Sequence, residues 1–279
     1  TELIVAAGGD LVADASAGTA ITFEPASGTT TSSWEGVLLQ AGASATIRNV
    51  TFRYADYAID WTPHTSGTVT IDGVELTSCR FGVYVTGGAT ATVSGLRGTG
   101  TGATTYWVYA SGSTTLNVRD SVMRGGSYGV YALNSNARVE DTVIDGMTSA
   151  AVFTQLSSNG TWSLTMDQCT LHRNNIGVQY ARGTTSSSRT LSLALSRNIF
   201  ARNTYATYEA SGGSYPASSF TFQQNITWLN TTAFLGGNPT ANTGTLEYNP
   251  LFADADNGDF APTERSPARY YAPTTASGT

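Results

Sequence analysis

Apolar and polar residues alternate along this chain in short runs, and the runs recur. One unit reads Ala45-Thr46-Ile47-Arg48-Asn49-Val50-Thr51-Phe52 and returns as Val69-Thr70-Ile71-Asp72-Gly73-Val74-Glu75-Leu76. Later copies centre on Val93, Val118, Val139, Met166, Leu195 and Phe222, with spacings from Ile47 onward of 24, 22, 25, 21, 27, 29 and 27 residues. Alternation with a period of two predicts strands that bury one face and solvate the other. A second alternating run follows each anchor, as in Ala58-Ile59-Asp60-Trp61, Gly82-Val83-Tyr84-Val85 and Gly129-Val130-Tyr131-Ala132. A repeat that tolerates insertions predicts a solenoid, because extra residues leave at a corner without disturbing the stack. No helical periodicity appears, and Gly, Asn and Asp mark the corners. The expected fold is all-β, a right-handed parallel β-helix of about 9–10 coils of about 21–29 residues. It should cover residues 1–240, with 241–279 as a C-terminal capping segment and tail.

Stacked coils bring equivalent residues into columns, so chemistry is read down columns rather than along the chain. Ile59, Val83, Val108, Val130, Val152 and Val178 form an inward column of pure core. Asp60, Tyr84, Tyr109, Tyr131, Phe153 and Gln179 point outward from the same strand, with Tyr208 continuing the line. Its four adjacent aromatics, Tyr84, Tyr109, Tyr131 and Phe153, are candidate ligand-binding residues. They serve either as a self-stabilising stack or as a platform for sugar rings. Burial against another subunit or domain is the third reading of the same strip. Arg48, Asp72, Ser94, Arg119, Glu140, Asp167, Ser196 and Gln223 form a charged outer column, in which Arg48/Asp72 and Arg119/Glu140 should pair on neighbouring coils. Asn174, Asn203 and Asn230 share a corner offset that suits turn-satisfying asparagines. Cys79 and Cys169 fall four coils apart, roughly 19 Å at the strand spacing, so both should be free thiols.

These repeats resemble those of bacterial right-handed parallel β-helix proteins in the pectate-lyase-like superfamily. The opening Gly18-to-Phe23 and Trp34-Glu35-Gly36-Val37 segments are similar to the first coils of that group. The segment Asn249-Pro250-Leu251-Phe252-Ala253-Asp254, with Asn257-Gly258-Asp259-Phe260 and Ser266-Pro267-Ala268, resembles its common C-terminal segment. The resemblance implies the fold and leaves the activity open, since the same coil carries lyases, hydrolases and plain scaffolds. In the lyases of that group an arginine commonly serves as base, and acidic residues hold calcium.

Charged residues make up 12% of the chain, about half the usual globular share of roughly 25%. All 14 basic residues are arginines, which excludes Schiff-base and P-loop lysine chemistry. The net charge of −6 argues against a nucleic-acid partner. No apolar stretch is long enough to span a bilayer, and Thr1-Glu2-Leu3-Ile4-Val5 has no signal-peptide pattern. Only two histidines, His64 and His172, and two distant cysteines are present, so no metal site and no cofactor are expected.

One column carries candidate catalytic residues. Arg124, Asp145 and His172 share an offset of six from Val118, Val139 and Met166, and Arg53 lies in the same column earlier. A guanidinium, a carboxylate and an imidazole side by side could move a proton. No column supplies the two neighbouring carboxylates of a glycosidase. The loops Leu156–Trp162, Ala181–Arg189 and Glu209–Ser219 bring few acids or bases. The sequons at Asn49, Asn159, Asn225 and Asn230 read as chance matches in a Thr- and Ser-rich chain.

The expected function is therefore a non-catalytic, secreted or cell-surface module with a structural, adhesive or glycan-binding role. Its partner would be a surface or matrix polysaccharide, or a neighbouring domain or subunit at the open N-terminal coil. The alternative is a carbohydrate-active enzyme, a polysaccharide lyase before a glycoside hydrolase.

Overall fold

Each repeat forms one coil of three strands, and equivalent strands on successive coils pair in parallel. The structure, a computed structural model, describes residues 1–62, 68–100, 105–182, 189–210 and 217–271. His64, the middles of the loops at 181–189 and 209–219, and the tail from 272 lie outside the described residues. Coil 1 comprises Glu2–Val5, Asp10–Asp14 and Ile21–Phe23, which open sheets A, B and C respectively. Coil 10 closes them with Thr232–Leu235, Ala241–Thr243 and Leu246–Glu247. Each sheet holds ten strands, so the solenoid strands run past the expected boundary at 240. On coil 1 the apolar side chains of Ile4 and Val12 are 51% and 68% exposed.

The interior follows the alternation. Ile47, Val93, Val139, Met166 and Phe222 from sheet B are buried, as are Ile59, Val83, Val108, Val130, Val152 and Val178 from sheet A. A buried Val or Ile contributes about 1.5–3 kcal/mol, and the columns place such residues in contact from coil to coil.

Corners turn on single left-handed residues. Between sheets B and C these include Asn49, Asp120, Gln168 and Arg197, and between C and A they include Ser78, Arg173, Arg202 and Leu229. The residue after each turn points inward, and where it is an asparagine it satisfies the corner backbone. Asn174 donates to Asn203 Oδ1 at 3.0 Å, and Asn203 donates to Asn230 Oδ1 at 2.9 Å. The asparagines are thus ladder rungs, and the left-handed conformation belongs to the residue before each one. Sheet B's corner carries a second ladder, Asn198 on Asn225 at 3.1 Å. Cys169 continues that column one coil earlier, its thiol on Val139 O at 3.3 Å, where Asn198 Nδ2 meets Met166 O at 3.2 Å. Both cysteines are free and buried.

The charged outer column of sheet B has the expected register but different ion pairs. Arg48 reaches Asp14 at 3.8 Å, and Glu140 is met by Arg138 of its own strand. A long arginine finds its partner two residues away or one coil back as easily as directly opposite.

Sheet C changes character along the solenoid. Its outward positions read Thr51, Glu75 and Arg97 on coils 2–4, then Val122, Val143, Thr170, Ile199 and Ile226 on coils 5–9. Water cannot cover the second set. The chain after coil 10 does so by folding back: Phe252–Asp254 and Asp259–Pro262 form an antiparallel hairpin about a 3-10 turn at Ala255–Asn257. Ala268 then seats against Ile199, Ala201 and Ile226.

Candidate functional site

The outer face of sheet A carries the aromatic residues expected from sequence, and more. Tyr84, Tyr109, Tyr131 and Phe153 are register partners on coils 4–7, with Asp60 before them and Gln179 and Tyr208 after. A second rank runs beside them: Tyr57, Phe81, Tyr106 and Tyr128 stack with centroids 4.7, 4.9 and 5.0 Å apart. Both ranks face outward because each strand turns two successive residues inward, such as Gly82-Val83 and Gly129-Val130. Strict alternation from Tyr84 would have pointed Phe81 into the core. On coils 4 and 6 the first inward residue is a glycine with no room for a side chain, whereas Ala58, Trp107 and Ala151 fill the same position on coils 3, 5 and 7. A Cβ on Gly82 would lie 2.4 Å from Trp107 O, and one on Gly129 would lie 2.6 Å from Ala151 O.

The two ranks interlock. Tyr84 and Tyr109 stack at 4.7 Å and Tyr109 and Tyr131 at 5.2 Å, while rings of opposite ranks among these tyrosines and Phe81 meet edge-on, Phe81 with Tyr84 at 77° and Tyr106 with Tyr109 at 80°. Within this herringbone each ring gives much of its faces to neighbours and turns its edge and hydroxyl to solvent. Burial pushes the Tyr131 phenol up to about 12, and its hydroxyl donates to Gln155 Oε1 at 2.9 Å. Arg80 closes one end, its guanidinium 5.2 and 4.9 Å from the Tyr57 and Phe81 ring centres, with Asp56 accepting at 2.6 Å. Phe153, expected on the exposed strip, is only 7% exposed. With Ala150, Ile176 and Ala181 it forms a buried apolar cluster between Tyr128 and Tyr131 on one side and Tyr205 and Tyr208 on the other. The half-exposed ranks from coil 3 to coil 6 are about 14 Å long at the strand spacing.

The Arg124, Asp145 and His172 column also stands in register on sheet C. Its side chains divide into two groups. Asp145 and His172 join through Nδ1 and Oδ1 at 3.0 Å. Arg124 instead donates to Gly258 O at 2.8 Å and holds the hairpin. The guanidinium on Asp145 is that of Arg173, bidentate at 3.1 and 2.9 Å. Burial alone would raise the Asp145 carboxyl, but hydrogen bonds from His172 and Arg173 and the guanidinium charge hold it below its ordinary 3.8. Asp145 and His172 are only 5% and 1% exposed. Phe260 and Phe252 pack edge-on against the imidazole, with ring centres 5.1 and 6.2 Å away. Arg173 and Arg202 both reach Asp256 of the hairpin at 3.4 Å.

Residues 35–190 match the family model described as right-handed β-helix region. The chain belongs to the right-handed β-helix family. No curated protein and no solved structure matches it.

Arg173 was the partner that sequence reasoning on this β-helix missed. It sits at a corner with φ 53°, outside any strand column, so offsets along strands do not reveal it. Among the described residues, no group of three or more His, Cys, Asp or Glu side chains could hold a metal ion, and no helix is long and apolar enough to cross a membrane. Asn225 is fully buried and donates to Leu195 O at 2.9 Å, which closes that sequon in the folded β-helix. Asn159 is exposed.

Proposed function

We propose that this β-helix is a non-catalytic module of a secreted or cell-surface protein that adheres to an extended surface or matrix polysaccharide. The observation that carries the reading is the aromatic strip of sheet A, whose half-exposed rings run from Tyr57 on coil 3 to Tyr131 on coil 6 and resume with Tyr205 and Tyr208 on coil 9. Contiguous apolar surface of this kind marks interaction sites. A polymer lying along the solenoid axis would meet phenolic hydroxyls and ring edges on each of coils 3–6. Many weak equivalent contacts then add up through multivalency. The Asp145–His172 pair supports a structural reading, because the carboxylate is taken up by His172 Nδ1 and by Arg173, and both residues are buried beside the hairpin. The exposed apolar side chains of Ile4 and Val12 on coil 1 support contact there with a neighbouring domain or subunit.

Affinity electrophoresis through gels containing neutral and acidic polysaccharides tests this reading. Retardation by at least one polymer is expected, weakened by Tyr84→Ala and Tyr109→Ala together. Unretarded migration in every polymer would refute it.

A further inference from the structure

A cleft of about 320 Å³ opens where the chain leaves coil 10 and folds back along sheet C. His172, Arg202 and Trp228 line it from coils 7–9, and Asn249 to Asp256 line it from the fold-back segment. It lies on a different face from the aromatic strip.

The chemistry of the cleft is set by His172. Asp145 is held in its charged form, and a carboxylate only accepts hydrogen bonds, so Nδ1 must donate to it. Nε2 is then the ring's second hydrogen-bonding nitrogen. Nδ1 is engaged and Phe252 and Phe260 lie against the ring. Nε2 is therefore the polar atom that this buried residue has left for the cleft. Asp256 adds an acceptor, exposed at 72%, and Arg202 adds donors, exposed at 50%. Trp228 contributes a half-buried indole, packed on one side against the small apolar cluster of Ile199 and Ile226.

We infer that this cleft binds one neutral sugar residue, free or at the end or branch of a glycan. An aromatic ring suits the C–H face of a pyranose, and hydroxyls are both donors and acceptors. That dual character matches Nε2, a carboxylate and a guanidinium set around one small space. Arg202 and Asp256 already neutralise one another at 3.4 Å, so an anion gains little here. A purely apolar molecule would leave Nε2 buried without a partner. The cleft's volume of about 320 Å³ accommodates one pyranose ring.

The test titrates the intact chain with glucose, galactose, mannose and N-acetylglucosamine, with glucuronate as the charged comparison. Binding is read from the His172 side-chain NMR signals and from Trp228 fluorescence, assigned through Trp228→Phe. At least one neutral sugar should shift both signals saturably, with a dissociation constant on the order of millimolar. Trp228→Ala should weaken binding at least tenfold, and Trp228→Phe should restore part of it. Should Trp228→Ala disturb folding, Arg202→Ala serves in its place, since Arg173 still holds Asp256. Polysaccharide retardation through Tyr84 and Tyr109 should be unchanged in these variants, so this inference and the aromatic-strip reading fail separately. No saturable shift with any neutral sugar would overturn the inference, as would tighter binding of glucuronate or equal binding by Trp228→Ala and Arg202→Ala.

Discussion

Asp145 and His172 face each other on adjacent coils, 3.0 Å apart, roofed by Phe252 and Phe260 of the fold-back hairpin. The pair joins the solenoid to its own C-terminal segment. Arg173 bridges the two parts, bidentate on Asp145 and in contact with Asp256.

Acid should loosen this junction first. In the unfolded chain the Asp145 carboxyl titrates near its ordinary 3.8, and in the folded chain it titrates lower. The stability it contributes is whole above the ordinary value and drains away as pH falls through the folded one. Thermal melts from neutral pH down to about pH 2 should show a falling acid limb. Asp145→Asn should lower stability at neutral pH by about 1–3 kcal/mol and flatten that limb. An unchanged acid limb in the variant would place the titration elsewhere.

Val130 lies at zero exposure between Val108 and Val152. Val130→Asp puts a carboxylate among aliphatic side chains with no partner, and urea unfolding should record a loss of at least about 3 kcal/mol. Arg138→Ala, on the outer face of sheet B, should cost less than about 1 kcal/mol, because its pair with Glu140 is solvent-screened.

The difference between those two sites was written in the sequence. Period-two alternation and a repeat of 21–29 residues placed Val130 inside and the Tyr84, Tyr109 and Tyr131 column outside. Three features were harder to read. Phe81, Tyr106 and Tyr128 sit three residues before the known column, and only a strand with two successive inward residues brings them outward. Ion pairing of Arg48 and Glu140 depended on side-chain reach, which columns do not encode. The fold-back did leave a trace, in the change from Glu75 and Arg97 to Val143, Ile199 and Ile226 at one outward position of sheet C. An outward apolar column implies a cover, although the residues that supply it lie far along the chain.

The aromatic herringbone should act as a stability element as well as a surface. Tyr109 stacks on Tyr84 and Tyr131, and each such contact is worth about 0.5–1.5 kcal/mol beyond burial. Tyr109→Ala should therefore cost about 1–3 kcal/mol, and Tyr109→Phe should stay within about 0.5 kcal/mol of the parent. Equal losses for Phe and Ala would mean that the hydroxyl, and not the stack, matters.

Cys79 and Cys169 should resist thiol reagents in the folded chain. Burial pushes the Cys79 thiol up to about 11 and raises that of Cys169 further, so little thiolate exists at mildly alkaline pH. Both should react together when denaturant unfolds the coils, and early labelling of one alone would expose a local opening at its corner.

The central claim is that this β-helix holds polysaccharide without cleaving it. Its most direct test is prolonged incubation of the pure chain with neutral and acidic polysaccharides, following unsaturated uronate absorbance and new reducing ends together. The account predicts no product above the protein-free control, in the same polymers that retard the chain. Sustained product formation that Asp145→Asn or His172→Gln abolishes, with folding intact, would contradict it.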